Sequence, residues 1–237
     1  MTLEGRWALV TGASRGIGEA VARALALSGA HGALAARSAP QLSGLARPLG
    51  AGHLAVAGDL TVARDVDALA DRVTKWCGGA PDILVNGAGI FPLASVHDMD
   101  PDDFQRALDL NLAAPFRVLR AFLPAMRARR QGDVVTIGSV ADRHASPGNA
   151  AYSASKHGAR ALHEVLRAET RGTGVRASLV SPGPVDTAIW SPHESLLGTA
   201  LPRRQDMLAA ADVARAVLYI VTQPRDVTVE ELRLSRS

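Results

Sequence analysis

Internal disulfide chemistry is closed to this sequence of 237 residues, because it holds a single cysteine, Cys77. No cysteine and histidine cluster has the spacing of a zinc site, so no metal is expected. The start, Met1 to Arg6, lacks the charged segment and apolar run of a secretory signal, and no later apolar stretch is long enough to span a bilayer. These absences give the expectation of a reducing, cytoplasmic setting with no membrane contact. Lysine is scarce as well: of 26 basic residues only Lys75 and Lys156 are lysine. A position that needs a compact, tunable ammonium rather than a planar guanidinium would produce such an exception. The formal net charge is only +3 and the arginines are spread along the chain. Arg127, Arg129 and Arg130 form the densest basic patch, which reads as a solvated helix end, so nucleic acid is not an expected partner.

Short apolar runs alternate with longer segments of helical period. The strand candidates are Trp7 to Val10, Gly32 to Ala36, His53 to Ala57, Ile83 to Asn86, Asp133 to Ile137, Ala177 to Val180 and Val227 to Leu234. Near-continuous apolar strands separated by helices imply a mostly parallel sheet covered on both faces. The expectation is therefore one α/β domain over residues 1–237, a doubly wound Rossmann fold with a seven-stranded sheet. Ligands of such sheets sit beyond the carboxyl ends of the strands. Pro182, Pro184, Pro192 and Pro202 interrupt any period between Ser181 and Arg204. Residues 188–206 read as a substrate loop, with an ordinary irregular connection as the alternative.

The first strand candidate runs into Thr11-Gly12-Ala13-Ser14-Arg15-Gly16-Ile17-Gly18 and then a helix. Glycines at such a turn let the backbone approach a pyrophosphate, and the helix N-terminus favours its charge. The spacing differs from the G-x-G-x-x-G fingerprint, so a turn without a ligand stays open on this motif alone. No Asp or Glu occurs between Glu19 and Asp59, where NAD-binding sheets place a carboxylate for the ribose 2′-OH. The second strand ends instead in Ala36-Arg37-Ser38. Arg37 and Arg15 suit a 2′-phosphate, so NADP(H) is the expected cofactor.

Tyr152 and Lys156 stand four residues apart, which on a helix puts phenol and ammonium on one face. A nearby cation favours the phenolate, so Lys156 is expected to lower the Tyr152 pKa. The pair follows a strand whose carboxyl end displays Ser139, and it includes one of only two tyrosines. A surface Tyr and Lys would be the alternative for the spacing alone.

With these motifs in order, the chain resembles the short-chain dehydrogenases/reductases, in particular members like the 3-oxoacyl-[acyl-carrier-protein] reductases. The glycine turn Thr11 to Gly18, Asp59 with Leu60, Asn86-Gly87-Ala88-Gly89, Asn111, Ser139, Tyr152, Lys156 and Pro182-Gly183 with Val185 and Thr187 carry the resemblance. It implies a catalytic tetrad of Asn111, Ser139, Tyr152 and Lys156. It also implies cofactor contacts at Gly12, Ser14, Arg15, Gly16, Ile17, Gly18, Arg37, Asp59, Leu60, Asn86, Ala88, Gly89, Tyr152, Lys156, Pro182, Gly183, Val185 and Thr187. In the implied reaction Tyr152 protonates a carbonyl oxygen held by Ser139 while hydride comes from NADPH. Lys156 would hold the nicotinamide ribose, and Asn111 would position a relay water.

The resemblance further implies a small carbonyl or alcohol substrate and a homo-oligomer built through the helices near Asn111 and Tyr152. Two departures stand out. Gly87 replaces the second Asn of the family's N-N-A-G, with a modest structural effect expected. The ending Val227-Thr228-Val229-Glu230-Glu231-Leu232 lacks the family's D-G-G turn and puts tetrameric packing through the terminus in doubt. His144, Ala145, Asn149, Ile189 and Trp190 are candidate pocket walls, with plain loop or packing residues as the alternative. A non-catalytic NADP(H)-binding sensor is the alternative to an enzyme.

Overall fold

The computed structural model describes residues 2–237. In chain order the elements are β1 Trp7–Thr11, α1 Gly16–Leu27, β2 His31–Ala36, α2 Ala39–Leu49, β3 His53–Ala57, α3 Ala63–Cys77, β4 Ile83–Asn86, α4 Pro101–Leu108, α5 Ala114–Ala128, β5 Gly132–Ile137, α6 Ala150–Thr170, β6 Val175–Pro182, β7 Val185–Asp186, β8 Leu208–Ala209, α7 Ala210–Val221 and β9 Glu231–Leu234. A π-helical turn, Asp109–Ala113, joins α4 to α5. The main sheet has seven strands in the order β3-β2-β1-β4-β5-β6-β9. All its pairings are parallel, so the expected doubly wound sheet is present and contains no antiparallel member.

Alternation along each strand feeds two cores. Ile83 and Val85 of β4 face the core shared with α1, α2 and α7, whereas Leu84 faces the core shared with α3, α5 and α6. The helices turn matching stripes inward. Val66, Leu69 and Val73 line the buried face of α3, and Ala151, Ser155, Ala159, His163, Leu166 and Thr170 line that of α6, at spacings of three and four.

At the amino-terminal edge of the sheet, Asp133 is buried between Arg6 and Arg176, whose Nε lies 2.6 Å from its Oδ1. Arg176 also donates to the carbonyls of Gln223, Pro224 and Val227 at 2.7–3.1 Å. This corrects the last strand. Val227 to Glu230 do not extend it, because Val227 sits in a turn onto Pro224 with its carbonyl given to Arg176, and pairing with β6 starts at Glu231. The basic patch is likewise structural in part: Arg129 donates to the carbonyls of Ala80 and Pro81, and Arg130 to that of Gly172.

Helix α7 begins at Ala210, after a 3₁₀ turn at Arg204–Asp206 and the short β7–β8 pair. Residues Ala188–Leu196 form 3₁₀ turns kinked at His193, which explains their lack of helical period.

Candidate functional site

The turn between β1 and α1 has room for backbone only. Gly12 takes φ +71°, and a Cβ there would lie 2.8 Å from the backbone of Ala88; a Cβ on Gly18 would lie 2.2 Å from the Gly12 carbonyl oxygen. The Thr11 hydroxyl accepts from the N–H groups of Gly87 at 3.1 Å and Ala88 at 3.3 Å, which locks the ends of β1 and β4 together. Gly87 fits this seam, since a Cβ there would be 3.0 Å from the Thr11 carbonyl oxygen. Helix α1 starts after Arg15 with no side-chain cap, so its first N–H groups remain available to an anion.

These groups open on a cavity of about 330 Å³ that gathers Gly12, Ser14, Arg15, Gly16, Ile17, Gly18, Arg37, Asp59, Leu60, Ala88, Gly89 and Thr187. Ser38, Gln41 and Gly58 line it too, and were not singled out by motif. Burial pushes the Asp59 carboxyl up, but hydrogen bonds from the Thr61 N–H and hydroxyl at 2.9 and 2.8 Å, with the Arg37 charge, hold it below the ordinary range. A cradle that a single Cβ would fill, backed by two arginines, fits a dinucleotide carrying a third phosphate.

A second cavity of about 620 Å³ shares Ile17, Gly87, Gly89, Thr187 and Ile189 with the first, so the two form one cleft. Ser139, Tyr152, Lys156, Pro182, Gly183 and Val185 all lie on its wall. Ser139 ends β5 and caps a 3₁₀ turn, its Oγ accepting from the Ala141 N–H at 3.2 Å. Tyr152 and Lys156 occupy successive turns of α6, with Nζ 5.7 Å from the phenol ring centre and donating to the Ile137 carbonyl at 2.9 Å.

The electrostatics correct one expectation. Burial raises the Tyr152 phenol above its ordinary range, opposed by the Ser139 hydroxyl and reinforced by the Asp142 charge. Burial also lowers Lys156 to about 8, against the pull of Asp142. Burial therefore outweighs what the neighbouring ammonium, turned to the Ile137 carbonyl, gives the phenolate, and the phenol stands above its ordinary range, not below it.

Two expected residues sit behind the walls. Asn111, in the π turn, exchanges hydrogen bonds with the Ile90 backbone at 2.9 and 3.0 Å and donates to the Ser155 Oγ at 2.9 Å, so its amide braces the β4 exit instead of facing the cleft. Asn86 is buried with both side-chain polar atoms unpartnered and lines neither cavity. Among the candidate walls, His144, Asn149, Ile189 and Trp190 line the second cavity, whereas Ala145 does not.

Sequence reasoning missed Asp142 and Phe91. Asp142 is fully buried, accepts from the Ser181 hydroxyl at 2.5 Å and the Ser139 N–H at 3.4 Å, and pairs with Arg143 at 3.1 Å. It thus ties the Ser139 turn to the end of β6. A carboxylate three residues after Ser139 carried a hint, since that spacing makes a capping box. Phe91 packs its ring 4.8 Å from Tyr152, 5.0 Å from Trp190 and 5.6 Å from His193, and no motif marked it.

A sequence profile of the short chain dehydrogenases matches residues 6–196. The chain belongs to the short-chain dehydrogenase family. Among its relatives is the glycine betaine reductase ATRR of Emericella nidulans, 37% identical over 97% of this chain, which spans 18% of that protein's length. An uncharacterized oxidoreductase of Staphylococcus epidermidis is 34% identical, covering 96% of this chain and 95% of its own. Among solved structures, a metagenomic short-chain oxidoreductase in complex with NADP is 33% identical with a TM-score of 0.83, covering 99% of each chain. An alcohol dehydrogenase from the archaeon Thermococcus sibiricus, complexed with 5-hydroxy-NADP, is 31% identical with a TM-score of 0.86, covering 98% of this chain and 96% of that one. This short-chain dehydrogenase is accordingly an oxidoreductase. No helix among its described residues is long and apolar enough to cross a membrane.

Proposed function

We propose that this short-chain dehydrogenase interconverts a carbonyl and a secondary alcohol with NADP(H). The observation that carries the reading is the single cleft in which a phosphate-sized glycine cradle with two arginines runs into a pocket walled by Ser139, Tyr152 and Lys156. Two relatives of known structure that hold NADP or a derivative support the choice of cofactor. Gly12 and the backbone of Ser14 to Gly18 would hold the pyrophosphate, Arg15 and Arg37 the 2′-phosphate, and Asp59 and Leu60 the adenine end. Ala88, Gly89, Pro182, Gly183, Val185 and Thr187 would flank the nicotinamide, with Lys156 at its ribose. When bound, NADPH supplies a hydride.

The chain supplies the proton. A phenol kept protonated by burial is a donor at neutral pH, so Tyr152 can give its proton to the carbonyl oxygen as negative charge develops there. The Ser139 hydroxyl donates to the same oxygen, and the Lys156 ammonium stabilises the phenolate left behind. Asn111 and Asp142 act through others, the first by bracing Ile90 and the second by holding Ser139. Residues 188–206 close the pocket, and copies of the chain assemble through α5 and α6.

Tyr152→Phe tests the reading: the fold and NADPH binding should persist while turnover is lost, and a fully active variant would contradict it. The substrate panel should hold ketones, 3-oxoacyl thioesters and, because one relative is named a glycine betaine reductase, a trimethylammonium carbonyl compound.

A further inference from the structure

Ile137, Gly138 and Ser139 at the end of β5 bring two opposite charges to the inner wall of the cleft. Lys156 donates to the Ile137 carbonyl at 2.9 Å, and the Asp142 carboxylate accepts from the Ser139 N–H at 3.4 Å. Gly138 stands between them. A Cβ there would lie 2.7 Å from Asp142 Oδ2 and 2.8 Å from the Ser181 hydroxyl, so the missing side chain lets the carboxylate settle against the backbone that holds Lys156. Asp142 itself is buried and lines neither cavity.

The groups around this carboxylate come from four elements. Its own 3₁₀ turn brings Arg143 at 3.1 Å, shared with Glu231 of β9 at 2.6 Å. Helix α6 brings Arg160 at 4.0 Å, shared with Glu164 at 2.7 Å, together with Tyr152 and Lys156. Strand β6 faces it with the Ser181 hydroxyl at 2.5 Å. Each arginine is divided between two carboxylates, which leaves negative charge of Asp142 directed at Tyr152 and Lys156. The other titratable side chain on the second cavity's wall is His144, which is exposed. In a poorly solvated setting a charge acts well beyond contact distance. It favours the Lys156 ammonium and disfavours a second negative charge on Tyr152.

Resting on the oxidoreductase reading above, we propose that Asp142 is a positioning residue for the proton: its buried carboxylate keeps that proton on Tyr152 until a carbonyl oxygen takes it, and keeps Lys156 charged as the phenolate forms. A carboxylate that only braced Ser139 would leave both protonation states alone. The two roles differ in sign. Neutralising the carboxylate in Asp142→Asn lets Tyr152 and Lys156 lose their protons at lower pH, whereas removing the competing cation in Arg143→Gln frees the fields of Asp142 and Glu231 and does the reverse.

The sequence holds two tyrosines, so Tyr219→Phe, a change at a half-exposed position on α7, leaves Tyr152 as the sole phenol. In that background the near-ultraviolet phenolate absorbance is titrated without substrate or cofactor, with circular dichroism checking the fold at each pH. Phenolate should appear at lower pH in Asp142→Asn and at higher pH in Arg143→Gln. Lys156, lowered to about 8 by burial, changes charge between pH 7 and 9. With NADPH and a ketone that the parent reduces, the ratio of kcat at pH 9 to that at pH 7 should therefore fall at least about threefold in Asp142→Asn and rise about twofold in Arg143→Gln. Should Asp142→Asn fail to fold, Arg143→Gln decides alone, because a loosened site would not tighten the phenol's hold on its proton. A titration unmoved or moved the other way in a folded variant, or kcat ratios equal to the parent's, would overturn the role of Asp142 and leave the oxidoreductase reading standing. Full turnover in Tyr152→Phe would remove that reading and the role of Asp142 with it.

Discussion

A Cβ on Gly18 would lie 2.2 Å from the Gly12 carbonyl oxygen, and both atoms belong to backbone that cannot swing aside. Gly18→Ala is therefore expected to cost about 2 kcal/mol of stability, read by urea unfolding, and to weaken NADPH binding by displacing the cradle. Arg37→Asp leaves the cradle intact and reverses one charge on the cavity wall. It should move the NADPH-to-NADH ratio of kcat/KM towards NADH, and an unchanged ratio would show that Arg37 does not read the 2′-phosphate. Asp142→Ala strands the Ser181 hydroxyl and the Ser139 N–H, while Arg143 keeps Glu231; the expected loss is about 2 kcal/mol in urea unfolding, with less for Asp142→Asn. Residues of this kind divide by how their signal is written. Tyr152 and Lys156 could be read from the sequence because helical spacing alone joins them. Asp142 could not, because its partner Ser181 meets it only through the order of the strands. The direction of the Tyr152 shift was misjudged for a related reason: spacing shows the proximity of a cation but says nothing of burial.

Helix α6 carries both the proposed catalytic pair, Tyr152 and Lys156, and a buried histidine. His163 shares a hydrogen bond of 3.0 Å with the Thr136 hydroxyl of β5, and burial lowers its pKa to about 4. The folded imidazole stays neutral where the unfolded one, near 6.5, takes a proton. Its contribution is therefore full above pH 6.5 and is lost as pH falls towards 4, on the order of 3 kcal/mol at most. His163→Gln should be less stable at pH 7 yet flatter between pH 7 and 4.5 in urea unfolding, and equal slopes would contradict the assignment. Other elements show where periodicity stops being informative. Helices and inner strands were legible because each presents an apolar stripe to one of the two cores. The last strand was overextended because Val227 and Val229 look like strand residues, while Arg176, distant in sequence, holds the Val227 carbonyl in a turn. The 188–206 segment gave no period because two 3₁₀ stretches, 188–196 and 204–206, are joined by irregular chain and tied to each other by the Arg204–Glu194 ion pair.

At the scale of the whole molecule, the sheet separates two tasks by its edges. The amino-terminal edge holds the Arg6–Asp133–Arg176 network, which is structural, and the carboxyl edge holds the cleft. Uninterrupted apolar strands were enough to foresee a parallel sheet with its cleft at the carboxyl edge, but not the arginine network at the other edge, whose members are distant in sequence. Helices α5 and α6 leave Phe116 and Val165 about half exposed. If assembly runs through these helices, Phe116→Asp should lower the oligomeric fraction in sedimentation equilibrium while leaving the far-ultraviolet circular dichroism unchanged; an unaltered mass would place the contact elsewhere. The central claim, that one cleft joins NADP(H) to a Tyr152-centred proton donor, is tested most directly by titrating the protein and its Tyr152→Phe variant with NADPH and then following NADPH oxidation with a ketone in the same cuvette. The account predicts equal NADPH binding by both proteins and turnover by the parent alone. Turnover by both, or no NADPH binding by either, would contradict it.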